Sequence, residues 1–201
     1  MRWTLLISLL TIIISCSPKK KPLPVLGKHD YVSRKEGAKE VTDTVFYKVP
    51  DFSFLGHRSV QIDKKTIEGK VTIVDFFFTT CQTICPIMTD HMVILQNQLK
   101  LDPDVMLLSH TVTPEIDSVA QLKKYALNKG VLDSKWNLVT GDKKEIYQLA
   151  RKSYLAVKST GDGGEYDMIH TENFILVDQK KRIRGYYDGT LEEDIESLLN
   201  D

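Results

Sequence analysis

The sequence predicts an α/β fold, a central mixed sheet flanked by helices with an N-terminal hairpin, on three observations. Two short continuous apolar runs, "KVTIVDFFF" and "DVMLLSH", are rich in β-branched and aromatic residues, as in strands buried on both faces. Segments with apolar residues at helical spacing alternate with these strands, which implies helices packed on the faces of a sheet. The chain then closes on a strand pair, "ENFILVDQKKRIRGYYDG", and a last helix. The 201 residues suffice for one domain of ordinary size plus extras, and 42% of them are hydrophobic. A formal net charge of zero provides no basic face, so no nucleic-acid partner is expected. There is no internal repeat, no glycine-rich phosphate loop and no HExxH.

The elements follow in order. Arg2, the apolar run "WTLLISLLTIII", Ser15 and Cys16 read as a secretory signal over residues 1–16. The run is short for a membrane span of about 20 residues. Residues 17–44, with "SPKKKPLP" and "SRKEGAKEVTDT", bury too little apolar surface to order themselves and read as a flexible tether. The folded domain is expected over 45–201. "VFYKVPDFSFL" alternates around Pro50 and reads as an edge strand or hairpin. The buried strand "KVTIVDFFF" leads to the cysteines, and after Pro86 the segment "IMTDHMVILQNQLK" repeats its apolar residues as a helix does. In "TPEIDSVAQLKKYALNKG", Thr113 is expected as N-cap, Pro114 and Glu115 in the first turn, and Gly130 as the stop. "WNLVTG" is a short strand, and "DKKEIYQLARKSY" a helix capped by Asp142. "DQKK", with Lys180 and Lys181, is a solvated hairpin turn, and "TLEEDIESLLN" is a helix capped by Thr190 with acids in its first turn. The closing hairpin and helix make the layout thioredoxin-like. That step is an analogy, since the spacing also permits other small α/β folds.

Cys81 and Cys85 stand at the carboxyl end of the first buried strand, where a helix begins. Ligand sites of open α/β sheets gather at such ends. Positions i and i+4 share one helix face, so the sulfurs can converge, and the helix start favours thiolate. This location serves redox chemistry and metal binding equally. The C-x-x-x-C spacing is one residue longer than the usual redox pair. It permits a disulfide if the first turn is irregular, and it also offers two sulfurs to a soft metal that then needs a third ligand. Among five histidines, His29 falls in the tether, His57 in a polar turn and His91 on the solvent face of the helix. His110 ends the second strand and is the nearer rival to His170, which lies just before the hairpin strand. Asp75, six residues before Cys81, is a candidate proton relay with a raised pKa. The simpler reading makes it a cap or a lysine partner near the sheet's end. Met88 and Trp136 read as core.

"FFFTTCQTICPIM", followed far along the chain by "HTENFILVDQKKRIRGYYDG", resembles the Sco/SenC family of membrane-anchored, thioredoxin-like copper proteins. The resemblance spans about residues 45–201 and includes "SHTVTPEID". It implies that Cys81, Cys85 and His170 are the ligands of one copper ion, as Cu(I) or Cu(II). It also implies a copper-binding assembly factor rather than a turnover enzyme. Such a factor delivers copper to the CuA centre of cytochrome c oxidase or reduces that centre's cysteines, so the expected partner is an oxidase subunit or another cuproprotein precursor. "IISC" resembles the lipobox of bacterial lipoproteins, which implies a lipidated Cys16, a membrane anchor and a domain in the cell envelope outside the cytoplasm. Two thiolates and an imidazole suit copper, although zinc accepts the same atoms. The alternative is a thiol–disulfide oxidoreductase of the envelope, with Cys81 as nucleophile and Cys85 resolving. Two features depart from expectation. Many family members carry an acid immediately before the histidine, where this chain has Ile169; Asp167, or less readily Glu172, is then expected to orient the imidazole. No proline lies between Glu165 and Phe174, where thioredoxins place one facing the cysteines. The glycine-rich "STGDGGEYD" reads as a flexible loop that lets His170 close on the metal.

Overall fold

A computed structural model describes residues 21–201. The expected signal and Cys16 lie outside the described residues. The first element is a hairpin of β1 (His29–Glu36) and β2 (Lys39–Phe46), paired without a break from His29↔Phe46 to Glu36↔Lys39. From His29 onward, the expected tether is therefore a two-stranded ribbon. Arg34 holds Asp43 across the ladder at 2.5 Å and Glu36 at 2.6 Å, and Lys35 faces Glu40. The ribbon leaves nearly every residue exposed, so it has no buried face to mark it in the sequence.

A second hairpin, β3 (Ser53–Gly56) with β4 (Gln61–Asp63), leads through the single turn α1 (Lys64–Ile67) to β5 (Val71–Phe77). Then follow α2 (Ile84–Leu99), β6 (Val105–Thr111), α3 (Val119–Lys129), β7 (Trp136–Thr140) and α4 (Lys143–Gln148). A π-helical turn over Leu149–Ser153 extends α4, and β8 (Asn173–Val177), β9 (Ile183–Asp188) and α5 (Glu192–Asn200) end the chain. The seven-stranded sheet runs β4-β3-β7-β6-β5-β8-β9. Its middle strands β5, β6 and β7 are parallel, and the flanking strands are antiparallel. This is the expected thioredoxin-like layout. Side chains alternate across β5: Val74 and Phe76 enter the core on one face with Leu108, Val139, Ile146 and Ile175. Ile73 and Phe77 enter the other with Met88, Met92, Leu122, Trp136 and Ile195.

Local capping signals hold where nothing competes with them. Gly130 closes α3 in the left-handed conformation, φ 70°, and the Asp142 carboxylate accepts the Glu145 amide at 3.0 Å. Two expected caps do not form. α3 starts five residues later than expected, with Ser118 accepting from the Gln121 amide, because the Thr113 hydroxyl is taken by Asp117 at 3.1 Å. Thr190 likewise gives its hydroxyl to Asp188 at 2.6 Å, and Leu191 occupies the N-cap of α5. His91, expected toward solvent, is buried; its Nδ1 lies 2.8 Å from the Gly189 carbonyl and donates to it. His57 is buried too, accepting the Leu138 amide at Nδ1 and donating to Asp133 from Nε2 at 3.0 Å.

His110 is fully enclosed by Phe52, Phe54, Phe76 and Tyr154, with ring centroids 5.2 to 5.8 Å away. Neither ring nitrogen has a hydrogen-bond partner among the described residues. It is no candidate ligand in this box. Burial drives its pKa from 6.5 down to about 3, so the unfolded chain takes up the proton first. The stability contributed by neutral His110 is complete above pH 6.5 and is lost as the pH falls toward 3. Denaturant melts across this range should show His110→Phe removing a loss of up to about 1.4 kcal/mol per pH unit.

Candidate metal centre

β5 and β6 are parallel neighbours in register from Val71↔Val105 to Phe77↔Thr111, so their loops leave the sheet side by side. One carboxylate joins the two loops. Asp117 is fully buried and accepts from the Thr79 amide at 3.1 Å and the Thr79 hydroxyl at 2.5 Å. It also accepts from the hydroxyls of Thr111 and Thr113. Gln121 of α3 adds a bond to the Thr79 hydroxyl at 3.0 Å. The sequence reading missed Asp117. Its signal was the run of threonines around it, Thr111 and Thr113 before and Thr79 two residues from Cys81.

Both cysteines are free thiols. They do not share a helix face as expected. Cys81 sits in the loop ahead of α2, and Cys85 is the second residue of the helix. The side chains nevertheless interact directly, because the loop folds Cys81 back over the helix start. Burial pushes the Cys81 thiol up, but the Thr83 amide, the Cys85 side chain and the Cys85 amide together outweigh it and hold the pKa at about 7. At Cys85 burial prevails and raises the pKa to about 12, with Cys81 and Asp75 adding to the rise. Cys81 is partly exposed and Cys85 is 4% exposed. One end of the pair is an accessible nucleophile near neutral pH, and the other is a protected thiol.

Asp75 neither caps a turn nor meets a lysine. It is buried at the centre of the sheet, where the Ser109 hydroxyl donates to it and Trp136 Nε1 donates to Ser109 at 2.8 Å. Burial raises its pKa to about 7, against the pull of the Ser109 bond. It faces the α2 side of the sheet and bears on Cys85 electrostatically. Met88 and Trp136 are core, as expected.

His170 is exposed, its ring edge-on to Phe78 with centroids 5.7 Å apart. Phe78 packs against both core clusters, one holding Ile169 and the other holding Cys81 and Cys85 at its margin and centre. Among the described residues, no group of three or more His, Cys, Asp or Glu side chains is gathered tightly enough to hold a metal ion. The two sulfurs are assembled, and the imidazole stands apart beside Phe78. Asp167 does not orient it, because its carboxylate is committed to Arg151.

Two outcomes follow from this geometry. In the reduced, metal-free protein, iodoacetamide should modify Cys81 first with a pH midpoint near 7, and Cys85→Ala should move that midpoint upward. Asp117→Ala leaves an amide and three hydroxyls without their acceptor, and should cost about 3 kcal/mol in a denaturant melt.

The SCO1/SenC family model matches residues 42–200. Among solved structures, the chain is similar to BsSco, described as a member of the Sco family of cytochrome c oxidase assembly proteins with a disulfide switch. They are 34% identical, with 77% of this chain and 91% of that one covered and a TM-score of 0.66. A SCO1/SenC family lipoprotein from Bacillus anthracis is 30% identical over 77% of this chain and 92% of its own, with a TM-score of 0.68. Arabidopsis thaliana ScoI, solved with copper bound, is 25% identical over 75% and 92%, with a TM-score of 0.59. With the match running from β2 through α5, over most of its length, this chain belongs to the SCO1/SenC family.

Proposed function

We propose that this protein carries one copper ion as cargo on Cys81, Cys85 and His170, and serves the CuA centre of cytochrome c oxidase. It delivers the metal to that centre or keeps its thiols reduced. The observation that carries the reading is the thiol pair at the start of α2, one sulfur accessible and acidified, the other buried. Copper supplies a soft acceptor for both sulfurs and, with the imidazole, a three-donor set. Cys81, its pKa lowered to about 7, presents the open end of the pair. Cys85 must lose its proton to bind a metal, and Asp75, buried on the same side of the sheet with a pKa of about 7, acts on it electrostatically and is a group that can exchange a proton there. His170 approaches from the segment before β8, with Phe78 between the two core clusters at its side.

The split between the thiols also favours a second reading. A dithiol with a low-pKa exposed member and a protected resolving member suits disulfide exchange, with Cys81 attacking and Cys85 resolving. The two readings are compatible in one protein, because the pair binds copper only when reduced. For location, we propose a lipid anchor at Cys16 that holds the domain to a membrane of the cell envelope. The lipobox-like "IISC" and the lipoprotein relative support it. No helix among the described residues is long and apolar enough to cross a membrane.

Titration of the reduced protein with copper should saturate at one equivalent, and the Cu(II) form should carry sulfur-to-copper charge-transfer colour. Cys81→Ala should abolish both. His170→Ala should weaken copper by more than the roughly 10–100-fold that losing a supporting residue costs. Unchanged copper affinity in His170→Ala would remove the imidazole from the site and leave the thiol reading.

A further inference from the structure

The segment that carries His170 is pinned on both sides of it. Three residues before, Asp167 forms a two-pronged ion pair with Arg151, Nη1 to Oδ2 at 2.6 Å and Nη2 to Oδ1 at 2.7 Å, each side chain only 10% exposed. The same carboxylate accepts the Gly163 amide at 2.7 Å, and Arg151 Nε donates to the Ser159 carbonyl at 2.9 Å. The Tyr147 ring lies 5.3 Å beneath the guanidinium, and its hydroxyl is 3.2 Å from the Asp167 carbonyl and 2.9 Å from that of Val112. One residue before His170, Ile169 is 1% exposed in the core. One residue after it, the buried Thr171 donates to the Ala156 carbonyl at 3.0 Å, and Asn173 donates to the same oxygen at 3.0 Å.

The glycines that suggested a flexible loop have packing roles instead. Gly163, φ 73°, turns its amide toward Asp167. A Cβ on Gly161 would stand 2.6 Å from Arg151 Nη2. An isolated surface ion pair does little, but a bidentate arginine–carboxylate pair shielded from water fixes geometry. This one ties the His170 segment to the π-helical turn after α4. A ligand on a fixed backbone loses less freedom on binding than one on a free loop.

We propose that Arg151 and Asp167 are positioning residues for His170. They hold its backbone in place, so that engaging a soft metal ion takes movement of the imidazole side chain and no ordering of a loop. This rests on the reading of His170 as a copper ligand. The pair touches neither the sulfurs nor the metal and acts only through the segment.

The test is Cu(I) competition against a chromogenic chelator for the reduced protein, Arg151→Gln, His170→Ala and the double variant. Arg151→Gln should weaken copper about tenfold and add nothing once His170 is alanine. Arg151→Lys should recover part of the loss, because it keeps the charge but not the fork, and Gly161→Ala should copy Arg151→Gln. Without metal, Arg151→Gln should speed amide hydrogen exchange over residues 159–168 and leave the alkylation midpoint of Cys81 unmoved. If His170→Ala weakens copper while Arg151→Gln does not, or does so equally in both backgrounds, the positioning role is overturned and the ligand reading stands. If His170→Ala leaves copper affinity unchanged, both are overturned.

Discussion

The Asp117 carboxylate is the constraint on which the site depends. β5 and β6 are parallel neighbours, so the cysteine loop and the loop after β6 leave the sheet together, just past a last ladder bond from the Val112 amide to the Phe77 carbonyl at 2.8 Å. Both loops therefore need satisfied backbone donors and a fixed relative position. Asp117 provides both, taking the Thr79 amide and three threonine hydroxyls. These four neutral donors satisfy a buried carboxylate that has no ion-pair partner among the described residues. Thr79 is two residues from Cys81, so the placement of the first sulfur is inherited from this tie.

From that placement the asymmetry of the thiols follows. A loop pinned at Thr79 lays Cys81 across the start of α2, where free amides of the first helical turn meet its sulfur. Cys85, already inside the helix, turns into the core beside Met88 and Met92. Four residues of spacing thus place one sulfur in a donor-rich mouth and the other in an apolar floor. A shorter spacing would draw both sulfurs toward the mouth. The metal reading and the disulfide reading both use this difference, and for that reason the thiols alone do not separate them.

How much of this was legible in the sequence depends on how local each signal is. The strand runs, Gly130 and Asp142 were readable, because periodicity and a single cap are decided within a few residues. Thr113 and Thr190 were equally good caps by type, yet each hydroxyl went to a nearby carboxylate that sequence order alone does not rank above a helix amide. His91 was misassigned because the face of α2 that is buried is set by the turn at Gly189, 98 residues away. The ribbon from His29 was hidden because its strands pair through backbone and charge, with no apolar face. At the site, the position of both cysteines and of Asp75 was legible from the end of one strand. The partner of the His170 imidazole was not, since Arg151 captures the carboxylate assigned to it.

The middle of the sheet bears two opposing buried charges-in-waiting, and their register explains why one matters to the site and the other does not. Asp75 pairs with Ser109 and Phe76 with His110, so the carboxyl and the imidazole are adjacent along the ladder but enter opposite faces. The folded state holds the Asp75 proton up to about pH 7, against 3.8 for the free group. Its contribution to stability is therefore full below 3.8 and declines as pH rises through 7. His110 has the opposite sign, with its contribution lost as pH falls below 6.5. The two groups thus pull stability in opposite directions over the same acid range, and each is a strain on the fold. On the α2 face that strain supplies a group that can exchange a proton near pH 7 beside Cys85. On the other face the imidazole lies in a closed aromatic box, and its unpaired nitrogens have no counterpart in the chemistry of the thiols.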